Sequence, residues 1–234
     1  MLRALASHPD WAAVSARLLN ADGSDQGTRF RFPNLTTAAL AAAMPSRRFL
    51  IHGERLPTGD VDCTSDWVPA TCLLIRRMAA EQVGPLDTLF DPGYSEDVDW
   101  CRRARKAGWR VGLCAAASVM HLGSATYGAR LPWRLALAVR NLCLYHAKHD
   151  SAALAGRVAG IWRWGFLWRF ALTSALLDRE RAAPYRAAYR MACRLRRSLP
   201  VAASVASPDA LQRLAADLLP LTQPPDNLNR RVHQ

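Results

Sequence analysis

Apolar residues recur along this chain first in short runs and later at helical spacing. Trp11 to Leu19 is an apolar run whose length suits a strand or the end of a helix. Asn20 to Asp25 is turn chemistry: Asn and Asp side chains bond nearby backbone, and Gly23 accepts positive φ. Thr36 to Met44 is Ala-rich and predicts a helix stopped by Pro45. Residues 52–66 are polar and interrupted by Gly53, Pro57 and Gly59, which predicts a loop. Trp67 to Ile75 reads as a buried strand ended by Arg76 and Arg77. Met78 to Val83 predicts a short helix with Gly84 as its C-terminal cap.

Asp91-Pro92-Gly93-Tyr94 predicts a turn, and Ser95 a cap for a helix over about Glu96 to Ala107 that stops at Gly108. Val98, Cys101 and Ala104 form its apolar stripe. Residues 109–113 and 117–120 read as two short strands. From Leu131 to about Leu199 the pattern is helical, and from Pro200 the Pro-rich, polar tail predicts irregular structure. No internal repeat is present.

Composition narrows the partners. The chain has 234 residues, half of them hydrophobic, enough for a sizeable core. Lys plus Arg number 31 against 19 acidic residues, a formal net charge of +12. Residues 151–234 hold 13 basic and 5 acidic side chains, so +8 of the excess sits there, facing a polyanionic surface. No helix-turn-helix or aromatic–basic RNA signature accompanies it, so no nucleic-acid partner is expected. The cysteines Cys63, Cys72, Cys101, Cys114, Cys143 and Cys193 include no C-x-x-C and no zinc-finger spacing. They predict free thiols in a reducing, cytoplasmic compartment. The N-terminal apolar run is too short for a signal peptide.

Candidate chemistry concentrates in Glu96, Asp97 and Asp99, three carboxylates within four residues at a predicted helix start. Acids there are favoured by the helix dipole by about 0.3–1 kcal/mol, so a purely structural role is the simplest account of them. The same placement also aims a carboxylate rigidly at one substrate hydroxyl. The dipole favours ionised Asp97 and the neighbouring acids oppose it; sequence does not decide which prevails.

The order of segments decides more than any one of them. Asp66-Trp67-Val68, Ala70, Cys72-Leu73-Leu74-Ile75-Arg76-Arg77, then Val83-Gly84, Leu86-Asp87, then Glu96-Asp97-Val98-Asp99-Trp100-Cys101-Arg102-Arg103, then Ala107-Gly108-Trp109-Arg110-Val111, then Val119, His121, Gly123-Ser124 closely resembles the family 2 glycosyltransferases, nearest their rhamnosyltransferase-like members. The resemblance spans about Trp11 to Leu144. It implies an α/β fold, a partial GT-A (Rossmann-like) domain over residues 1–150, followed by a basic Trp/Arg-rich helical region over 151–199 and an irregular tail over 200–234. It implies inverting sugar transfer from a nucleotide-sugar to a glycan or lipid-linked acceptor, in cell-surface polysaccharide synthesis. Asp97 would be the general base and Glu96 would assist. Trp67 and Asp99 would be acceptor-side residues, though Trp67 suits core packing equally and Asp99 suits the helix surroundings better. His121 would join a divalent metal, Mn2+ or Mg2+, or the diphosphate.

The chain departs from that family in lacking the nucleotide-binding βαβ half that ends in Asp-x-Asp. It is expected to be the acceptor-side portion of a truncated enzyme, not active alone. Smaller departures are Ala70 for the usual Gly, Leu86 for the usual Phe, and a loop before Glu96 about one residue longer. The competing reading is a non-catalytic, glycosyltransferase-like binding module. In the basic end, Trp162, Trp164 and Trp168 alternate with Arg157, Arg163 and Arg169, and Arg186, Arg190, Arg194 and Arg197 share one helical face. A solvated helical cap and an anionic membrane surface, such as the inner face of the cell membrane, account for this equally.

Overall fold

The computed structural model describes residues 1–44, 49–50, 53–58, 61–122, 131–176, 179–199 and 207–222. In chain order the elements are α1 (Leu2–Ser7), β1 (Trp11–Leu19), β2 (Arg29–Phe30), α2 (Leu35–Ala43), β3 (Phe49–Leu50), β4 (Gly53–Leu56), β5 (Cys63–Ser65), β6 (Leu73–Ile75), α3 (Arg77–Val83), α4 (Glu96–Lys106), β7 (Arg110–Met120), α5 (Leu131–His149), α6 (Ala152–Ala175), α7 (Arg179–Ser198) and α8 (Pro208–Leu218). The chain forms two compact units. One comprises residues 1–37 and 46–126, the other residues 38–45 and 127–234.

The first unit is built on a four-stranded sheet in the order β5-β7-β1-β6. β1 pairs parallel with β7 and antiparallel with β6, and β5 runs antiparallel to β7. β1 is buried almost throughout, which explains its unbroken apolar run: α1 and α3 pack on it, as α4 packs on β7. Trp11 lies across Gly112 of β7, where any Cβ would overlap its ring. A smaller ribbon, β2-β4-β3, joins the 65–67 segment through Phe30.

Several expectations are corrected here. The 52–66 segment is not a plain loop, because its Gly53–Leu56 and Cys63–Ser65 stretches pair as β4 and β5; Gly59 and Asp60 lie outside the described residues. The strand expected over 67–75 shrinks to Leu73–Ile75 behind a single 3-10 turn at Ala70–Cys72, since Pro69 has no N–H to give a ladder. The two short strands expected near 109–120 are one strand, β7, kept continuous by a bulge opposite Ala16 and Arg17. Pro45, expected to stop α2, lies outside the described residues; α2 spans Leu35–Ala43, against the expected Thr36 to Met44.

The second unit is helical. α5, α6 and α7 pack together, and α8 with the 3-10 turn Leu219–Thr222 packs against α5 and α7. α8 corrects the irregular tail: Ser207 caps it by accepting the Ala210 N–H, and Leu211, Ala215 and Leu218 face inward. Residues 200–206 and 223–234 lie outside the described residues. Arg169 is buried and donates to the Ala42 and Gly165 carbonyls, both at 2.8 Å, closing the C-terminal end of α2.

Candidate active site

The turn before α4 is held in uncommon geometry. Tyr94 (φ 73) and Ser95 (φ 71) both stand in the left-handed region, a costly state for side-chain-bearing residues that tends to mark functional sites. This overturns the expected role of Ser95. With left-handed backbone its hydroxyl does not cap α4; Ser95 Oγ is buried and has no hydrogen-bond partner. The Asp97 carboxylate takes over. Oδ1 accepts the Val98 N–H at 2.8 Å and Oδ2 accepts the Ala70 N–H at 3.2 Å.

Burial pushes the Asp97 carboxyl up to about 7, with the Glu96 charge adding to the effect. The N–H groups of Ala70 and Val98 act in the opposite direction and do not outweigh it. Glu96 is itself raised, by burial first and then by the Asp91 charge. Its Oε2 is buried with no hydrogen-bond partner. Two oxygens without partners among the described residues, Ser95 Oγ and Glu96 Oε2, thus belong to the two residues just before a carboxyl raised to about 7. Buried polar atoms without partners are uncommon in native proteins and call for a ligand or a functional reason.

Sheet topology sets where this lies. β6 runs antiparallel to β1, and Leu73 pairs with Ser15. Ala70, the partner of Asp97, is three residues earlier. His121 follows β7, its N–H donating to Leu19 at the end of β1 at 2.9 Å. His121 therefore stands at the carboxyl end of the parallel strands, where open α/β sheets bind ligands, while β6 begins opposite the middle of β1. His121 is aimed by Gln26: Nδ1 lies 2.7 Å from Gln26 Oε1, while Gln26 Nε2 donates to the His121 and Asn20 oxygens, each at 3.0 Å. Since Gln26 Oε1 can only accept, Nδ1 is the donor of this pair, which leaves Nε2 as the outward-facing ring nitrogen.

Trp67 and Asp99, the two candidate acceptor-side residues, are both buried. Trp67 is buried, stacked on Phe30 with ring centroids 4.4 Å apart, and its Nε1–H donates to the Arg31 carbonyl. Both faces of its chemistry are spent on packing. Asp99 is fully buried and paired to Arg103 Nε at 2.8 Å. Arg103 also donates to the Val83 and Pro85 carbonyls, so this pair pins α4 to the end of α3.

Residues 66–70 run along α4 in step with it. Asp66 pairs with Arg105 at 2.6 Å, the Val68 N–H meets Cys101, and the Ala70 N–H meets Asp97. Four helical residues advance about 6 Å and two extended residues about 6.6 Å, which keeps the two in register. A cleft of about 320 Å3 opens at the Arg105 end, lined by Arg31, Asp66, Cys101 and Arg110 among others; Asp97 does not line it. Gln26 and the Ala70 N–H escaped the sequence reading, since Gln26 is 95 residues from His121 and a backbone N–H has no sequence signal.

Among the described residues, no three His, Cys, Asp or Glu side chains come together to hold a metal ion. His121, the expected ligand, stands at the carboxyl end of the sheet.

No known family profile matches the chain. Over 195 residues it is 28% identical to the N-acetylglucosaminyl-diphospho-decaprenol L-rhamnosyltransferase of Mycobacterium tuberculosis, in two strains, covering 77% of this chain and 58% of that protein. Over 119 residues it is 24% identical to a low-salt glycan biosynthesis hexosyltransferase of Haloferax volcanii, covering 48% of this chain and 33% of that protein. The chain is similar to glycosyltransferases. It spans a little over half the length of the rhamnosyltransferases it matches.

Proposed function

We propose that this chain carries the acceptor side of an inverting, family 2, GT-A type glycosyltransferase that moves a sugar from a nucleotide-sugar to a lipid-linked glycan in cell-surface polysaccharide synthesis. The observation that carries the reading is the fixing of Asp97: a half-buried carboxyl held by the Ala70 and Val98 N–H groups at the start of α4, with desolvation raising it to about 7. The relatives' names support the class of acceptor and donor sugar.

In this reading an acceptor hydroxyl lies against Asp97. Its oxygen attacks the anomeric carbon from the side opposite the nucleotide diphosphate, as its proton passes to the Asp97 carboxylate. The C–O bond to the acceptor forms as the bond to the diphosphate breaks, inverting that carbon. A base is most effective when its pKa lies near the working pH, and burial brings Asp97 there. Glu96 Oε2 and Ser95 Oγ take further acceptor hydroxyls, and the strained 94–95 turn keeps all three from relaxing away. His121 Nε2 faces the leaving-group side. A divalent metal would supply charge neutralisation of the diphosphate, with His121 as one ligand and further ligands that the described residues do not bring together. The setting is the cytoplasmic side of a membrane that carries the acceptor.

The test is sugar transfer by Asp97→Asn in the polypeptide that carries the donor-binding half. Transfer should fall by at least about 100-fold, the usual worth of a general base, with nucleotide-sugar binding unchanged. Unchanged transfer would remove Asp97 from the mechanism and favour the binding-module reading.

A further inference from the structure

One face of the helical unit is exposed against its own composition. Trp164, Trp168, Leu172 and Leu176 follow one another at four-residue intervals along α6 and its C-terminal turn, and are 61, 37, 51 and 70% exposed. Residues at that spacing form a single ridge, here about 18 Å long. Met44, 62% exposed, extends it: Trp168 Nε1 donates to the Ala42 carbonyl at 3.0 Å, two residues before Met44. Contiguous apolar surface of this kind marks a contact face.

The surroundings of the ridge are cationic. The Arg163 guanidinium lies over the Trp164 ring at 5.3 Å. On α7, the Arg196 side chain reaches within 4.0 Å of a Cβ built on Gly160, one turn before Trp164, so α7 borders the ridge. Arg186, Arg190, Arg194 and Arg197 are exposed along α7, while Ala188, Met191, Ala192 and Leu195 are buried. α6 contains three arginines and no acid, and α7 seven arginines and one acid, Glu180.

We infer that this face is the chain's docking surface for an anionic phospholipid bilayer. Trp rings settle at the headgroup boundary, Leu side chains enter the acyl edge and arginines meet the lipid phosphates. No helix among the described residues is long and apolar enough to cross the bilayer, so the unit lies on it. The inference deepens the proposed function by naming where a lipid-linked acceptor is met. It rests on that reading for its purpose only, since its test measures binding and leaves Asp97 untouched.

The experiment is vesicle co-sedimentation of the whole chain with phosphatidylcholine alone and with added phosphatidylglycerol, across a salt series. Binding should need the anionic lipid and weaken with salt. Arg190→Gln with Arg194→Gln should lower partitioning about 25-fold, at about 5-fold for each arginine. Trp164→Ser with Leu172→Ser should abolish stable binding; both positions are exposed, and an unchanged melting curve confirms the fold. Equal binding by these variants, or equal binding to both vesicle types, would overturn the inference. So would a concentration-dependent dimer that Trp164→Ser with Leu172→Ser dissolves, because the face would then belong to a second copy. Loss of transfer in Asp97→Asn with vesicle binding intact keeps the two proposals separable.

Discussion

The Ala70 N–H donates to Asp97 Oδ2 across 3.2 Å, joining the start of α4 to the turn that leads into β6. Through this bond the sheet, rather than the helix alone, fixes the direction of the carboxyl. The Val98 N–H holds the other oxygen, so the group has little freedom to rotate. In the proposed mechanism, a base so constrained would meet an acceptor hydroxyl in one geometry.

Because Asp97 must be ionised to accept a proton, transfer should depend on pH through its raised pKa of about 7. The rate should climb about tenfold per pH unit below that value and level off above it. A kcat/KM profile for sugar transfer checks this. A profile already flat from about pH 5 would contradict it.

The same shift links Asp97 to stability. Its carboxyl titrates near 3.8 when unfolded and about 7 when folded. Between those values the folded state binds more protons, so this group's stabilisation is complete below the unfolded pKa and is lost as pH rises through the folded one. Asp97→Asn should therefore flatten the decline in stability over that window. Urea denaturation at several pH values measures the slope.

Arg103→Ala should remove the Arg103 guanidinium from the fully buried Asp99 carboxylate and detach α4 from the Val83 and Pro85 carbonyls. Breaking a buried pair in this way costs about 3–5 kcal/mol. Chemical denaturation should show that loss.

Gly112→Ala places a methyl inside the space of the buried Trp11 ring. Overpacking of a core costs about 1–3 kcal/mol. The denaturation midpoint should fall, while Gly108→Ala, which meets no neighbour but sits at φ +90, should lose stability through backbone strain alone. Comparison of the two separates packing from conformation.

Much of the α-helical content was legible in the chain because caps and periodicity are local: Gly84 and Gly108 end α3 and α4 as their sequence implies. The strands were less legible. β4 and β5 lie in a polar stretch whose identity depends on partners far away, and the bulge that unites β7 exists only against β1. At the candidate site, the acid cluster was visible but its division of labour was not. Asp97 and Asp99 are two residues apart, yet one faces Ala70 and the other is neutralised by Arg103. Only the path of residues 66–70 along α4 distinguishes them. Trp67 illustrates the same limit, since stacking on Phe30 is decided by a ribbon 37 residues away.

The most direct measurement is a carbon-13 titration of the Asp97 carboxyl, assigned by its disappearance in Asp97→Asn. The account predicts a midpoint of about 7. A midpoint near the ordinary aspartate value of about 4 would contradict it, because the carboxyl would then be a solvated helix-start acid rather than a desolvated base.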